Sequence, residues 1–465
     1  MKLIRTSGRG AKAAAETIAA LERRGGAALD SVMPAVKRIV EDVCQRGDRA
    51  LLAYARKFDG LPGLEALRVR PEEMAAAWEG IDAGLRTALI FAATQISIFA
   101  RSQMPASWNK NSVEGLTTGQ LVRPLGSVGC YVPSGRHPLP STLLMTVIPA
   151  QVAGVKRIVA ISPKPARETL AAAHLLAMPE FHKAKGPDGW RFEKPWKPWA
   201  PEFYRVGGAH GIAALAYGTE GLPRVDKIVG PGNLYVTAAK KQVAFDCAID
   251  MLAGPTEIVV TSELGDAAEI ASDLVAQAEH DPEALAIFVT TREELARKVM
   301  AETKARSRKN KVAREALTRN GVVVVAGTVS EAREITNRLA PEHLTVDAAS
   351  DLKWVENAGS VFVGRWSAQP MGDYISGPNH TLPTGGMARV RGGLSVNDFV
   401  KLITVQEYTA KGVRALGPKA VLLAEAEGLI GHAEAIRTRL PPAVGQPRLA
   451  PQRAGNKRMQ RRARG

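Results

Sequence analysis

Gly126-Ser-Val-Gly-Cys-Tyr-Val132 and Val155-Lys-Arg-Ile-Val-Ala-Ile161 are two short apolar runs, separated by a Pro/Gly-rich turn and a helix-length segment that ends at Ala153. Runs of this length, rich in Val and Ile and bounded by turn residues, read as buried strands. A strand, a helix and a second strand in that order make a βαβ unit with a parallel sheet. The intervening turn, Tyr131-Val-Pro-Ser-Gly-Arg-His-Pro-Leu-Pro-Ser141, leaves a strand and enters a helix, which is where α/β folds take ligands. An ordinary Pro-rich connection has the same composition.

The same alternation continues outward. Gly207-Gly-Ala-His-Gly211 opens an Ala-rich helix, and the strand Val225-Asp-Lys-Ile-Val229 runs directly into Gly230-Pro-Gly-Asn233 and a helix to about Val243. A strand, a glycine turn and a helix start can aim backbone N–H groups at a phosphate, although this turn is not a GxGxxG fingerprint. Further strands are expected at Ile258–Thr261, Ala286–Thr290, Gly321–Ala326 and Ser360–Val363, with helices at 266–280, from about Arg292 to Arg319, and at 330–340, stopped by Pro341. Upstream, residues 14–57 and 71–104 carry apolar residues at helical spacing, with Pro71 at a start and Glu72-Glu73 complementing the helix dipole. Downstream, Leu394–Phe399, Ile403–Tyr408 and a helix from about Pro418 to Ile436 follow.

At 465 residues the chain exceeds one compact core, so two α/β domains with accessory helices are expected. No run reads as a membrane span and the N-terminus lacks a secretory h-region, so a cytoplasmic location is expected. Cys44, Cys130 and Cys247 are too few and too dispersed for a disulfide framework or a thiolate zinc knot, which leaves nitrogen and oxygen ligands for any metal. Seven of the sixteen excess positive charges lie in residues 441–465, a Pro/Arg/Gly-rich tail expected to be disordered; without an aromatic residue to stack bases, it signals no specific nucleic-acid binding. Residues 181–202 interrupt the pattern with Trp190, Trp196 and Trp199 and read as an insertion.

Chemistry concentrates in a few stretches. Gln277 and His280 are three apart at a helix end and can reach one ion from one face, although a lone helix-end histidine is more often a cap. Gly372-Asp-Tyr-Ile-Ser-Gly-Pro-Asn-His-Thr-Leu-Pro-Thr-Gly-Gly386 is expected to be a shaped loop carrying Asp373 and His380. Glu342-His343 stands at a helix-to-strand corner and could place an acid and a base in one cleft. Gln277, His280, Asp373 and His432 together make a donor set suited to Zn²⁺ with positions open for substrate. With a glycine turn suited to a dinucleotide, that set points to metal-assisted hydride transfer from an alcohol.

Gly230-Pro-Gly-Asn233, Asp250 with Ala253-Gly-Pro-Thr-Glu257, Gln277-Ala-Glu-His-Asp281, Pro341-Glu-His-Leu344, and Gly372-Asp-Tyr through His380-Thr-Leu-Pro occur in unbroken order, and together they resemble the histidinol dehydrogenase family over roughly residues 14–440. The resemblance implies a Zn²⁺ enzyme oxidising L-histidinol to L-histidine through the aldehyde in NAD-dependent steps. It implies two Rossmann-like α/β domains with N-terminal helices: residues 1–27 and 108–257 on the NAD side, and 28–107 and 258–390 on the zinc and catalytic side. A helical C-terminal extension, 391–440, would complete the site. Zinc ligands would be Gln277, His280, Asp373 and His432; Glu342 and His343 would be the acid/base pair, with His343 taking the alcohol proton and Glu342 activating water. Thr256, His380 and Glu427 match substrate-contacting positions alongside the zinc ligands and the Glu342/His343 pair, and Tyr131, His210 and Asn233 match positions near NAD. The family forms a homodimer with shared sites, so His432 and Glu427 would serve the partner. Three departures stand out: Thr256 where Ser is common, His210 where Gln is usual, and the length of 181–202. A paralogous zinc/NAD dehydrogenase of another polar alcohol would carry the same metal set.

Overall fold

The computed structural model describes residues 1–24, 29–134, 138–178 and 201–440. The Trp-rich insertion, apart from residues 201–202, and the basic tail lie outside the described residues. The chain divides into two compact units: residues 1–105 with 124–401, and residues 106–123 with the chain from Leu402.

The first unit contains two parallel sheets. One has five strands in the spatial order Glu202–Tyr204, Arg157–Ile161, Ser127–Tyr131, Lys227–Val229, Ala248–Ile249. The expected βαβ unit is at its centre: Ser127–Tyr131 pairs in parallel with Arg157–Ile161, joined by the helix Pro140–Ala153. Proline opens that helix, where its missing N–H costs nothing, and Gly154 closes it at φ +86°, a left-handed conformation natural to glycine. Its flanks are apolar all round because it is covered on both sides, with Leu143, Leu144 and Ile148 sharing a core with Ile158, Trp78 and Ile96.

The other sheet has six strands, in the order Lys2–Arg5, Val322–Val325, Leu285–Thr290, Glu257–Thr261, His343–Val346, Ser360–Val363, all parallel. Val322–Val325 is valine throughout and fully buried, as a doubly covered parallel strand should be.

The N-terminal segments are distributed opposite to expectation. Lys2–Arg5 pairs with Val322–Val325, and Ile4, Ala14 and Ile18 pack with Ile287 and Val324, so residues 1–24 belong to the six-stranded sheet rather than to the NAD side. The helix Leu29–Arg46 instead packs Val36, Val40 and Val43 against Ile212, Leu215 and Val236, while the helix Pro71–Glu79 packs on Arg167–Ala177 and Ala83–Ser102 on Pro140–Ala153. Residues 29–105 therefore clothe the five-stranded sheet. The physical reason is that apolar stripes of similar period fit either core, and only long-range pairing selects one. By length and composition Ala83–Ser102 could cross a bilayer, contrary to the reading that no such run exists. Leu89, Ala93, Ile96 and Ala100 occupy it with the core.

Smaller corrections follow local chemistry. The expected basic helix is two, Glu293–Arg306 and Lys311–Arg319, because the Asn310 side chain caps the second by accepting from Ala313 N. The C-terminal helix starts earlier, at Ala410 under a Thr409 cap, and breaks at Gly428 (φ +73°) before Ile430–Arg437. Asp373 sits on a short helix, Gln369–Tyr374, rather than in open loop. The second unit holds the antiparallel pair Trp108–Val113 and Leu116–Pro124, with Val400–Tyr408 as third strand, and these two C-terminal helices.

Candidate active site

Two neighbouring strands of the six-stranded sheet, Glu257–Thr261 and His343–Val346, begin side by side, with His343 opposite Ile258. Thr256 precedes the first and Glu342 the second, so both motifs meet at one end of the sheet. The Thr256 hydroxyl donates to Glu342 Oε2 at 2.6 Å, and the Glu257 N–H donates to the same oxygen at 2.7 Å. Gln277, fully buried at the end of the helix Ala267–Ala278, donates from Nε2 to the Thr256 hydroxyl. Thr256, expected at a substrate contact, thus links the amide of Gln277 to the carboxylate of Glu342.

His343 is buried with its Nδ1 3.0 Å from the Glu257 carbonyl. A carbonyl accepts only, so Nδ1 carries a proton and Nε2 is the atom that exchanges one. Nε2 lies 3.8 Å from Asp373 Oδ1 and faces a cavity of about 390 Å³ lined by Phe362, Asp373, Asn379 and His380. Burial works against charge on His343, but Glu342 and Asp373 outweigh it and lift the pKa to about 10. Burial likewise raises Asp373, yet His343, His380 and His280 bring its carboxyl below the ordinary range. His380 donates from Nδ1 to the Asp373 carbonyl (2.8 Å), with Nε2 3.3 Å from Thr142 Oγ1, and burial lowers its pKa.

Of the four expected metal ligands, Gln277, His280 and Asp373 lie in the first unit. The Gln277 Oε1 is buried with no hydrogen-bond partner among the described residues, Asp373 feels the charge of His280, and the donors are an amide oxygen, an imidazole and a carboxylate. That set fits Zn²⁺. No group of three or more His, Cys, Asp or Glu among the described residues could hold a metal unaided. His432 and Glu427 lie in the second unit, both exposed.

The expected cofactor residues line a separate cavity of about 1000 Å³ at the carboxyl ends of the five-stranded sheet, with Tyr131, His210 and Asn233 all at its wall beside Arg38, Lys57 and Lys164. His210 is 2% exposed and its Nε2 meets Asp59 Oδ2 at 2.7 Å; the same oxygen accepts from Gly207 N at 3.1 Å. Burial pushes the Tyr131 phenol to about 12, so it stays a neutral donor or acceptor. Some donors around the glycine turn are taken internally. Gly230 N donates to Asp250 at 2.8 Å, and Asn233 Oδ1 accepts from Tyr235 N and Val236 N, capping the helix internally.

Sequence reasoning missed the partners that hold these groups. Glu257, paired with Arg24 at 2.6 Å, accepts from Gly385 N and so pins the glycine-rich loop. Gln369 donates to Asp373, and Asp59 fixes His210. Only Glu257 had a local signal, being the last residue of a motif already singled out.

A family model described as histidinol dehydrogenase matches residues 22–189 and 199–440. The histidinol dehydrogenase of Methanothermobacter thermautotrophicus is 42% identical over 430 residues, covering 91% of this chain and 97% of the relative. That of Methanopyrus kandleri is 44% identical over 431 residues, covering 90% and 96%. The crystal structure of histidinol dehydrogenase from Elizabethkingia anophelis superposes with a TM-score of 0.84 at 32% identity, covering 95% of this chain and 98% of that one.

Proposed function

The chain belongs to the histidinol dehydrogenase family, an NAD-dependent oxidoreductase family acting on histidinol in histidine biosynthesis, and from that premise we propose how its residues divide the work. The observation that carries the proposal is the hydrogen-bonded chain from Gln277 through Thr256 to Glu342, ending beside His343 and Asp373 in one cavity.

Gln277, His280 and Asp373 would hold Zn²⁺, with His432 of a second copy as the fourth ligand; the exposure of His432 and Glu427 on a separate unit supports a homodimer with shared sites. When bound, zinc polarises the substrate oxygen and NAD⁺ accepts hydride. His343 takes the alcohol proton at Nε2, since Nδ1 is committed to the Glu257 carbonyl. Neutralising Asp373 removes one of the two charges that keep His343 protonated, which returns its pKa toward the range where imidazole exchanges protons readily. Glu342, held by two donors on Oε2, keeps Oε1 to take a proton from the water that adds to the aldehyde. His380 and Glu427 would contact substrate polar groups, and Thr256 acts through Glu342 and Gln277.

Tyr131, His210 and Asn233 would line the NAD site, supported by the basic cavity they share. Both parallel sheets are read as Rossmann-like, the C-terminal helices as the extension completing the partner's site, and the enzyme as cytoplasmic. Zinc content and NADH formation from histidinol test the reading together. The variant His280→Ala is expected to lose both, and full activity in zinc-free His280→Ala would overturn the metal role.

A further inference from the structure

Gln369 opens the short helix that ends at Tyr374 and is fully buried. Its Nε2 donates to Asp373 Oδ2 at 3.1 Å. Its Oε1 is buried with no hydrogen-bond partner among the described residues. A buried amide whose oxygen is left unpaired is unfavourable at a position an apolar side chain of equal size could fill, so the donor end is what the position uses. The backbone N–H of Gln369 faces the Asp273 carboxylate, one helical turn before Gln277. One residue therefore ties the helix that carries Gln277 and leads into His280 to the segment bearing Asp373.

The bond has a directional consequence. With Oδ2 occupied by Gln369, Oδ1 is the oxygen turned toward His343 Nε2. We infer that Gln369 is a positioning residue for the Asp373 carboxylate, selecting one oxygen for the metal and fixing the distance between the two ligand-bearing segments. The inference rests on the zinc reading of Asp373 above. Groups that hydrogen-bond a ligating carboxylate orient it and sustain its affinity.

The test is zinc affinity of the full-length protein, measured by competition with a chromogenic chelator, with melting of the metal-free protein as the folding control. Gln369→Met keeps the volume and removes the donor; affinity is expected to fall roughly 10–100-fold. The same change in an Asp373→Ala background is expected to add less than about threefold, because the pair acts as one unit. Should the methionine variant not fold, Gln369→Asn, too short to reach Oδ2, carries the same expectation. Wild-type affinity in the single variant, or equal losses in both backgrounds, would overturn the inference. Unchanged affinity in Asp373→Ala alone would instead sink the zinc reading on which it rests.

Discussion

The two parallel sheets share a design and use it oppositely. In each, a central strand has its successors on one side and later strands on the other, which creates a switch point where α/β folds bind ligands at the carboxyl ends. The five-stranded sheet follows that rule: Tyr131 ends its central strand and Asn233 follows Lys227–Val229, both lining the large basic cavity. The six-stranded sheet places the proposed reactive residues at the amino ends, where Thr256 and Glu342 lead into adjacent strands. Its carboxyl end is closed by its own carboxylate. Asp347 accepts from the Ser262 hydroxyl, from Glu263 N at 2.7 Å and from Leu264 N at 3.1 Å, which occupies the loop donors a phosphate would need. Asp266, Glu269 and Asp273 surround that end, so it also repels anions. Topology offers two equivalent positions, and side-chain chemistry decides which one a dinucleotide can use.

The contrast can be broken at either sheet. The largest effect is expected from His343→Ala at the amino end: kcat should fall by about 10²–10⁴ with little change in the KM for NAD, as steady-state kinetics would show. Thr256→Val removes the hydroxyl that holds Glu342 and should slow aldehyde oxidation roughly 10–100-fold, the worth of a hydrogen bond to a charged group, while Thr256→Ser stays near wild type. At the other sheet, His210→Ala should raise the KM for NAD about tenfold and leave kcat nearly unchanged.

Asp347→Ala should lower unfolding free energy by about 2–3 kcal/mol in denaturant titration without altering the KM for NAD. A changed KM would mean that the carboxyl end of the six-stranded sheet does contact the cofactor.

The smallest effect concerns pH. Burial lifts the Asp273 carboxyl to about 6, above its unfolded value, so the folded state binds the proton more tightly. Its contribution is complete below about pH 4 and is lost as pH rises through about 6. Asp273→Asn imitates the protonated form and should raise the melting temperature at pH 7.5 but not at pH 4.

Much of this was legible in the chain. The central βαβ unit, the helix start at Pro71 and the clustering of Thr256, Gln277, Glu342, His343 and Asp373 in motifs all rest on local signals, and the structure brings those residues together. What was not legible depends on distant pairing. Lys2–Arg5 is a four-residue edge strand whose partner is over three hundred residues away, and nothing local chooses its sheet. Asp59, Gln369 and Asp347 stand outside any motif and act through hydrogen bonds to other side chains or loops, and their residue types are ordinary on a surface. At the glycine turn, Asp250 takes Gly230 N and Asn233 takes the N–H groups of Tyr235 and Val236, pairings that composition cannot reveal.

The central claim is that the amino end of the six-stranded sheet carries out both oxidations of histidinol on one set of residues. NADH formed per histidinol consumed, measured to completion with purified zinc-loaded enzyme, tests it most directly. Two equivalents, with histidine as product, are expected; one equivalent with accumulating aldehyde, or none, would contradict it.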